Sequence, residues 1–265
     1  MLRRAATVLV VMPLFLAALF LLPPRYWMLV LLTLLGIGAW EWCGLAGIHG
    51  AGRALFLTLV LGCALAWLAA WPVARGLAQG IAAASVAFWC LPAPAWLALK
   101  WQIANRWLLA AIGSIVLLPT WLALAWLQEN PLELLLLLGV IWVSDTAAYL
   151  SGRRYGRHRL AALISPGKTW EGVAGAAAAV AVYWLLIWFI VPSADSALGG
   201  VAGAGVALAM VMLGIEGDLF ESWLKRCAGV KDSGRVFPGH GGVLDRIDSL
   251  TAAMPAALFA LTLLR

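Results

Sequence analysis

The chain has 265 residues, of which 64% are hydrophobic and only 11% are charged, and its net charge is +6. An average soluble domain carries roughly 25% charged residues. A soluble globule of this size exposes too much surface to hide so many apolar side chains. The composition therefore excludes a soluble fold and predicts an all-α polytopic membrane protein with one integral membrane domain, residues 1–265. Positive charge in such a chain is typical of cytoplasmic loops, so we expect no nucleic acid partner.

Nine mostly apolar segments are long enough to cross a bilayer, which takes about 20 residues. The first follows a basic N-terminus like a signal peptide, but its apolar run has the length of a full span, so we interpret it as an uncleaved helix. The fourth is the least regular, because Pro92 and Pro94 interrupt it. The predicted spans lie near residues 5–22, 26–43, 54–71, 78–97, 108–127, 131–150, 172–191, 199–217 and 248–264.

The basic residues segregate when consecutive loops are placed on alternate sides of the membrane. All but three of the 18 Lys and Arg residues fall on the side of the N-terminus, the exceptions being Arg25, Arg75 and Arg265. The positive-inside rule then predicts a cytoplasmic N-terminus. Two long polar segments, about 151–171 and 216–249, fall on the same side. Both lie in residues 141–265, where we therefore expect the chemistry, and we call this part the catalytic half. Residues 1–140 form the N-terminal helices.

Carboxylates in and beside these polar segments are the first candidates for a site. Asp218, Glu221, Ser222 and Lys225 lie at i, i+3, i+4 and i+7, so they share one helix face. That face suits either a hydrated cavity at the membrane edge or a solvated helix end with an internal ion pair. Asp145 lies near the cytoplasmic end of a span, where a carboxylate usually faces a polar cavity or pairs with a basic residue.

A glycine-rich segment, residues 238–242, precedes Asp245, Arg246 and Asp248. Glycine backbone adopts positive φ and approaches ligands closely, so this loop is able to offer N–H groups to phosphate. His240 within it either binds phosphate, holds a carboxylate or makes a structural hydrogen bond.

The residue types together indicate phosphoryl chemistry. Oxygen ligands without cysteine or paired histidine favour Mg²⁺ over zinc. Neighbouring Lys and Arg favour a polyphosphate substrate, and a metal with a basic clamp is the usual equipment for transfer at phosphorus. The alternative from another class is an ion-coupled transporter, since intramembrane carboxylates also serve transport. The lack of an internal repeat and the crowding of polar residues on one side favour the enzyme.

These segments resemble the signature of the phosphatidate cytidylyltransferases, or CDP-diacylglycerol synthases, of bacterial type. The resemblance runs over about residues 141–251. Its C-terminal part is Ser222-x-x-Lys225-Arg226, Lys231-Asp232, Pro238-Gly-His-Gly-Gly242 and Asp245-Arg246-x-Asp248. Its upstream part is Ser144-Asp145-Thr146 with Ala148-Tyr149, Ser165-Pro-Gly-Lys-Thr169 with Glu171-Gly172, and Gly217-Asp218-Leu219 with Glu221-Ser222.

The resemblance implies transfer of CMP from CTP to phosphatidate, giving CDP-diacylglycerol and pyrophosphate, in phospholipid biosynthesis. It implies Mg²⁺ as cofactor, with Asp218 and Asp245 as its ligands, and a second cation such as K⁺. CTP, phosphatidate and membrane lipid are the implied partners, with a homodimer as the implied assembly. The implied location is the bacterial inner membrane, with the active site on the cytoplasmic side. A CTP-dependent transferase acting on another lipid phosphate or lipid alcohol is the alternative within enzymes.

The resemblance also assigns roles to individual residues. The implied catalytic residues are Asp218, Lys225, Arg226, Lys231, Asp245 and Arg246, with the basic ones holding phosphates or the leaving pyrophosphate. The implied substrate-binding residues are Ser165, Lys168, Thr169, Ser222, His240, Gly241 and Gly242. The implied supporting residues are Asp145, Glu171, Glu221, Asp232 and Asp248.

Overall fold

The structure is a computed structural model that describes residues 2–71, 75–190, 200–236 and 241–264. In these residues the chain is almost entirely helical, which confirms the predicted all-α polytopic fold. The helices are α1 (Leu2–Leu21), α2 (Pro24–Leu45), α3 (Gly50–Ala70), α4 (Arg75–Cys90), α5 (Pro92–Leu99), α6 (Arg106–Leu127), α7 (Pro131–Tyr155), α8 (Trp170–Ile190), α9 (Gly200–Cys227) and α10 (Leu244–Leu264).

Eight helical segments in the described residues are long and apolar enough to cross a membrane. They match the second to ninth predicted spans. The first predicted span corresponds to α1, in which the described apolar helix Met12–Leu21 is shorter than a full span. The observed number agrees with the prediction of about nine.

The fourth span is broken where its prolines predict. Helix α4 ends at Cys90 and α5 begins at Pro92. Proline has no backbone N–H to donate to the preceding turn, so it begins a helix well but does not continue one. The two pieces still form one apolar segment, Gly76–Leu99, of sufficient length to span.

A short antiparallel hairpin between α7 and α8 was not predicted. Its strands are β1 (Arg159–Ala161) and β2 (Ser165–Thr169), with Arg159 opposite Thr169 and Ala161 opposite Ser165. Helix α8 begins directly after β2. The hairpin therefore holds part of the predicted substrate-binding segment at the end of the helical bundle.

Glycines let the helices that carry polar residues approach one another closely. Gly217 of α9 lies against the backbone carbonyl of Asp248 in α10, where a Cβ would overlap it. Gly214, one turn earlier, lies against Ile141 of α7. Small residues at helix interfaces are usual in membranes, because they permit close backbone contact. This packing brings Asp218 and Asp248 to one place.

A buried tryptophan defines the contact between α2 and α6. Trp42 is 2% exposed, and its indole N–H donates to the carbonyl of Leu109 at 2.9 Å. The ring lies directly on Gly113 of α6, where a Cβ would overlap the indole. Helix α6 in turn packs against α10. The N-terminal helices are thus joined to the helix that carries Asp245.

Replacing Gly113 by alanine should destabilise the protein by about 1–3 kcal/mol, because the new methyl group overlaps the Trp42 ring. Gly62→Ala in α3 is the matched control, since a Cβ there meets no atom within 4 Å. That variant should keep or slightly raise the stability, because alanine favours helix over glycine. Thermal unfolding in detergent measures both, and equal midpoints would contradict the described packing.

Candidate active site

Polar side chains from four elements meet around one cavity of about 680 Å³. Seven residues of its lining were predicted as site residues from the sequence. They are Asp145 of α7, Lys168 and Thr169 of β2, Asp218 of α9, and Asp245, Arg246 and Asp248 of α10.

Three of these carboxylates, each from a different helix, lie near one another. Asp218 is close enough to Asp145 and to Asp248 for the negative charges to repel. Lys168 partly offsets this repulsion, because its Nζ lies 2.7 Å from Oδ2 of Asp218. The same ammonium donates to the carbonyl of Ile215 at 3.2 Å. Lys168 therefore joins the hairpin to α9.

Asp245 is held by four hydrogen bonds at the start of α10. Its Oδ1 accepts from Nζ of Lys225 at 2.6 Å. Its Oδ2 accepts from the backbone N–H groups of Ser233 and Gly242 at 2.9 and 2.8 Å, and from the Ser233 hydroxyl at 3.0 Å. A carboxylate offers about four lone-pair sites, two on each oxygen. Oδ2 is therefore fully used, and Oδ1 keeps one site for a further ligand.

Lys225 is buried between two carboxylates. Its Nζ lies 2.6 Å from Oδ1 of Asp245 and 3.2 Å from Oε2 of Glu221, and its side chain is 11% exposed. The predicted pairing within this helix face is therefore present, with Glu221 and Lys225 one turn apart. The ammonium is positioned to orient Asp245, and its predicted contact with phosphate stays a prediction.

Three other predicted residues make hydrogen bonds to the hairpin or to Asp218. Glu171 accepts from the backbone N–H of His158 at 3.2 Å and contacts the ring Nδ1 at 2.7 Å, which closes the base of the hairpin. Arg226 donates to the carbonyl of Ile164 at 3.4 Å, so it ties α9 to the hairpin turn. Ser222 donates to Oδ1 of Asp218 at 3.3 Å.

The glycine-rich loop is only partly described. Gly241 has φ 85°, a conformation that favours glycine. The N–H of Gly242 donates to Asp245, so it serves the protein rather than a phosphate. His240 lies outside the described residues. Ser165, Lys231 and Asp232 are described, with the latter two exposed, and their predicted roles stay predictions.

Two arginines and a tyrosine of the cavity lining were not among the predicted site residues. Tyr149, Arg153 and Arg159 belong to the lining. Arg153 donates to the Tyr149 hydroxyl at 3.0 Å, and Arg159 donates to the carbonyl of Pro166. Both arginines lie in the polar segment 151–171, in which Ser165, Lys168, Thr169 and Glu171 were the predicted site residues. The cavity thus brings carboxylates and guanidinium groups together in one lining.

An all-helical membrane protein with carboxylates and basic groups around one cavity has the equipment of a membrane-embedded nucleotidyltransferase. A model of the cytidylyltransferase family matches residues 2–264. The chain therefore belongs to the cytidylyltransferase family and is a nucleotidyltransferase.

Two relatives match the chain over nearly its whole length, and a third matches it over less than half. The phosphatidate cytidylyltransferase of Pseudomonas aeruginosa is 37% identical over 260 residues, 96% of this chain and 94% of that protein. The enzyme of the same name from Haemophilus influenzae is 35% identical over 281 residues, 96% of each chain. The one from Brucella suis is 49% identical over 117 residues, 44% of this chain and 42% of that protein. The family resemblance stated from the motifs is confirmed.

Proposed function

We propose that the protein transfers CMP from CTP to phosphatidate, giving CDP-diacylglycerol and pyrophosphate. The observation that carries this proposal is a cavity lined by both carboxylates and guanidinium groups, in a chain similar over 96% of its length to phosphatidate cytidylyltransferases. The chemistry needs such a cavity, because a triphosphate brings negative charge that basic residues must hold.

The proposed reaction forms one bond to phosphorus and breaks another. An oxygen of the phosphatidate phosphate attacks the α-phosphorus of CTP. The bond from the α-phosphorus to the bridging oxygen breaks, and pyrophosphate leaves with that electron pair. The attacking oxygen is already ionised near neutral pH, so the site needs no strong general base. Stabilisation of the developing charge and positioning of the two substrates are then the main tasks.

The basic residues of the lining are suited to hold the triphosphate. Arg153, Arg159 and Arg246 lie on the exposed part of the cavity wall. A guanidinium offers a planar set of donors that matches phosphate oxygens. Lys168 already pairs with Asp218, so an incoming phosphate would compete for its ammonium. We assign Arg226 and Lys231 to the same phosphate-holding group, outside the lining.

The carboxylates fit the implied divalent cation. Within the described residues, no group of three His, Cys, Asp or Glu side chains is arranged to hold a metal ion by itself. Mg²⁺ is usually bound by one or two carboxylates together with substrate phosphates and water, so two suffice. Asp218 and Asp245 would hold it, Asp245 through the open site on Oδ1. When bound, the ion would neutralise charge on the phosphate oxygens. A second cation such as K⁺ is part of the proposal.

Many of the residues that line the site belong to the polar segments 151–171 and 216–249, in which basic residues are frequent. We propose that these segments lie on the cytoplasmic side and that the protein resides in the bacterial inner membrane. CTP is soluble and arrives from the cytoplasm, while the acyl chains of phosphatidate stay in lipid. The single membrane domain and the homodimer also stay predictions.

CTP turnover by the purified protein, followed through pyrophosphate and lipid product, tests this function directly. With phosphatidate and Mg²⁺, CDP-diacylglycerol should form, and EDTA should stop its formation because the ion is removed. Restoring Mg²⁺ in excess should restore turnover. If a folded preparation makes no product with phosphatidate but does so with another lipid phosphate or a lipid alcohol, phosphatidate is not the lipid substrate. Turnover that resists EDTA would remove the metal from the proposal.

A further inference from the structure

Glu41 is a buried carboxylate that the N-terminal helices contribute to the catalytic half. It lies on α2, inside an apolar span, and is 4% exposed. Its Oε1 accepts from the backbone N–H of Val243 at 3.0 Å. Its Oε2 accepts from the N–H of Leu244 at 2.9 Å and from the hydroxyl of Ser233 at 3.1 Å. The carboxylate thus contacts residues before and after the glycine-rich segment 238–242.

The start of α10 supplies this carboxylate with hydrogen-bond donors. The first N–H groups of a helix have no partner within the helix and carry partial positive charge. Glu41 satisfies two of them, from Val243 and Leu244. Glu41, from a helix distant in sequence, therefore caps the N-terminus of α10, an interaction that the residue before a helix usually provides. The same contacts set where α10 begins, one residue before Asp245.

Ser233 links Glu41 to Asp245. Its hydroxyl lies 3.1 Å from Oε2 of Glu41 and 3.0 Å from Oδ2 of Asp245, so one proton is shared between two carboxylates. Gly234 and Gly242 lie so close to the Glu41 carboxylate that a Cβ at either would overlap it. The position of the Glu41 carboxylate alone therefore explains why both residues are glycine, without any bound ligand.

We infer that Glu41 is a positioning residue that holds Asp245 in the orientation needed for cytidylyl transfer. This inference rests on the proposed function, in which Asp245 contacts the reacting groups. Glu41 itself reaches no substrate. It acts through Ser233 and through the N–H groups at the start of α10, and so it couples the N-terminal helices to the rate of the reaction.

Glu41→Gln tests the inference with a side chain of the same size. The amide replaces one acceptor oxygen by a donor, so at least one of the three donors loses its partner and the loop must shift. A displacement of about 1 Å at reacting groups costs up to about 100-fold in rate. We expect kcat per CTP-binding site to fall about 10- to 100-fold, while KM for CTP changes less than about threefold. Glu129→Gln, at an exposed turn after α6, should keep wild-type kinetics.

Ser233→Ala gives a second, independent measurement. It removes the link to Asp245 and leaves the Val243 and Leu244 contacts of Glu41 in place. If Glu41 acts through Ser233, the double variant should lose little more kcat than the worse single variant, which indicates coupling. If Glu41 has a purely structural role, its substitution should lower the number of CTP-binding sites and leave kcat per site unchanged. The effects of Glu41→Gln and Ser233→Ala should then be independent of each other in the double variant. Either of those results would overturn the inference.

The wild-type protein separates this inference from the proposed function. Wild-type protein that makes no CDP-diacylglycerol shows that the function is wrong. The coupling of Glu41 and Ser233 is then measured with whichever lipid acceptor proves active. Active wild-type protein with an equally active Glu41→Gln variant overturns the inference alone.

Discussion

Asp218→Asn should lower CTP turnover by about 1,000-fold or more while the protein remains folded. Asp218 stands at the centre of the carboxylate group, close to Asp145 and Asp248 and 2.7 Å from the ammonium of Lys168. Asparagine has the same shape but removes the negative charge and one acceptor oxygen. Loss of a single group that stabilises the transition state typically costs about 100- to 1,000-fold, and loss of a metal ligand adds to this.

The substitution should leave the fold intact, because it also relieves repulsion between carboxylates. Asp218 is partly exposed to the cavity, so no buried charge is left unpaired except that of Lys168. Thermal unfolding in detergent should therefore give a midpoint near that of the wild type. Full turnover in a folded Asp218→Asn preparation would remove Asp218 from the proposed metal ligands.

Much of the fold was predictable, because a membrane chain shows its spans as apolar segments separated by charge. The break between α4 and α5 followed from Pro92, which has no N–H to donate. The hairpin was not predictable in the same way. Its strands are three and five residues long, and the segment Ser165–Thr169 contains proline and glycine, which are typical of loops.

The candidate site was predictable in composition, since carboxylates are rare and costly in an apolar chain. That cost predicts a site role for Asp145, while helical spacing indicates Asp218 and the motif after the glycine-rich loop indicates Asp248. The structure places all three at one cavity. Partners far apart in sequence were not predictable. Glu41 contacts Val243 across 202 residues of chain, and no local pattern encodes that contact. Its occurrence within an apolar span was the one signal that would have found it.

Lys225 shows that the type of a residue does not by itself determine its partners. The resemblance implies that Lys225 holds phosphate, and helical spacing left an ion pair within α9 as the alternative. The structure gives the ammonium two carboxylate partners, Glu221 and Asp245, and leaves its side chain 11% exposed. Whether a basic residue serves substrate or protein depends on which acceptors surround it, and these acceptors come from two different helices.

Lys225→Met should therefore destabilise the protein as well as inactivate it. Methionine fills a similar volume but leaves Glu221 and Asp245 as buried carboxylates without their cation. Breaking a buried ion pair by removing one partner costs about 3–5 kcal/mol. The loss should appear as a lower unfolding midpoint in detergent, and turnover should fall because Asp245 loses the hydrogen bond to its Oδ1.

The double variant Lys225→Met with Glu221→Gln separates these two effects. Removing the charge of Glu221 leaves only one of the two partners of Lys225 as a buried carboxylate without its cation, so part of the lost stability should return. Turnover should stay low, because nothing restores the bond from Lys225 to Asp245. If Lys225 instead holds substrate phosphate, the single variant should unfold near the wild-type midpoint and show a raised KM for CTP. The stability of the single variant thus decides whether this buried lysine orients a carboxylate or binds the nucleotide.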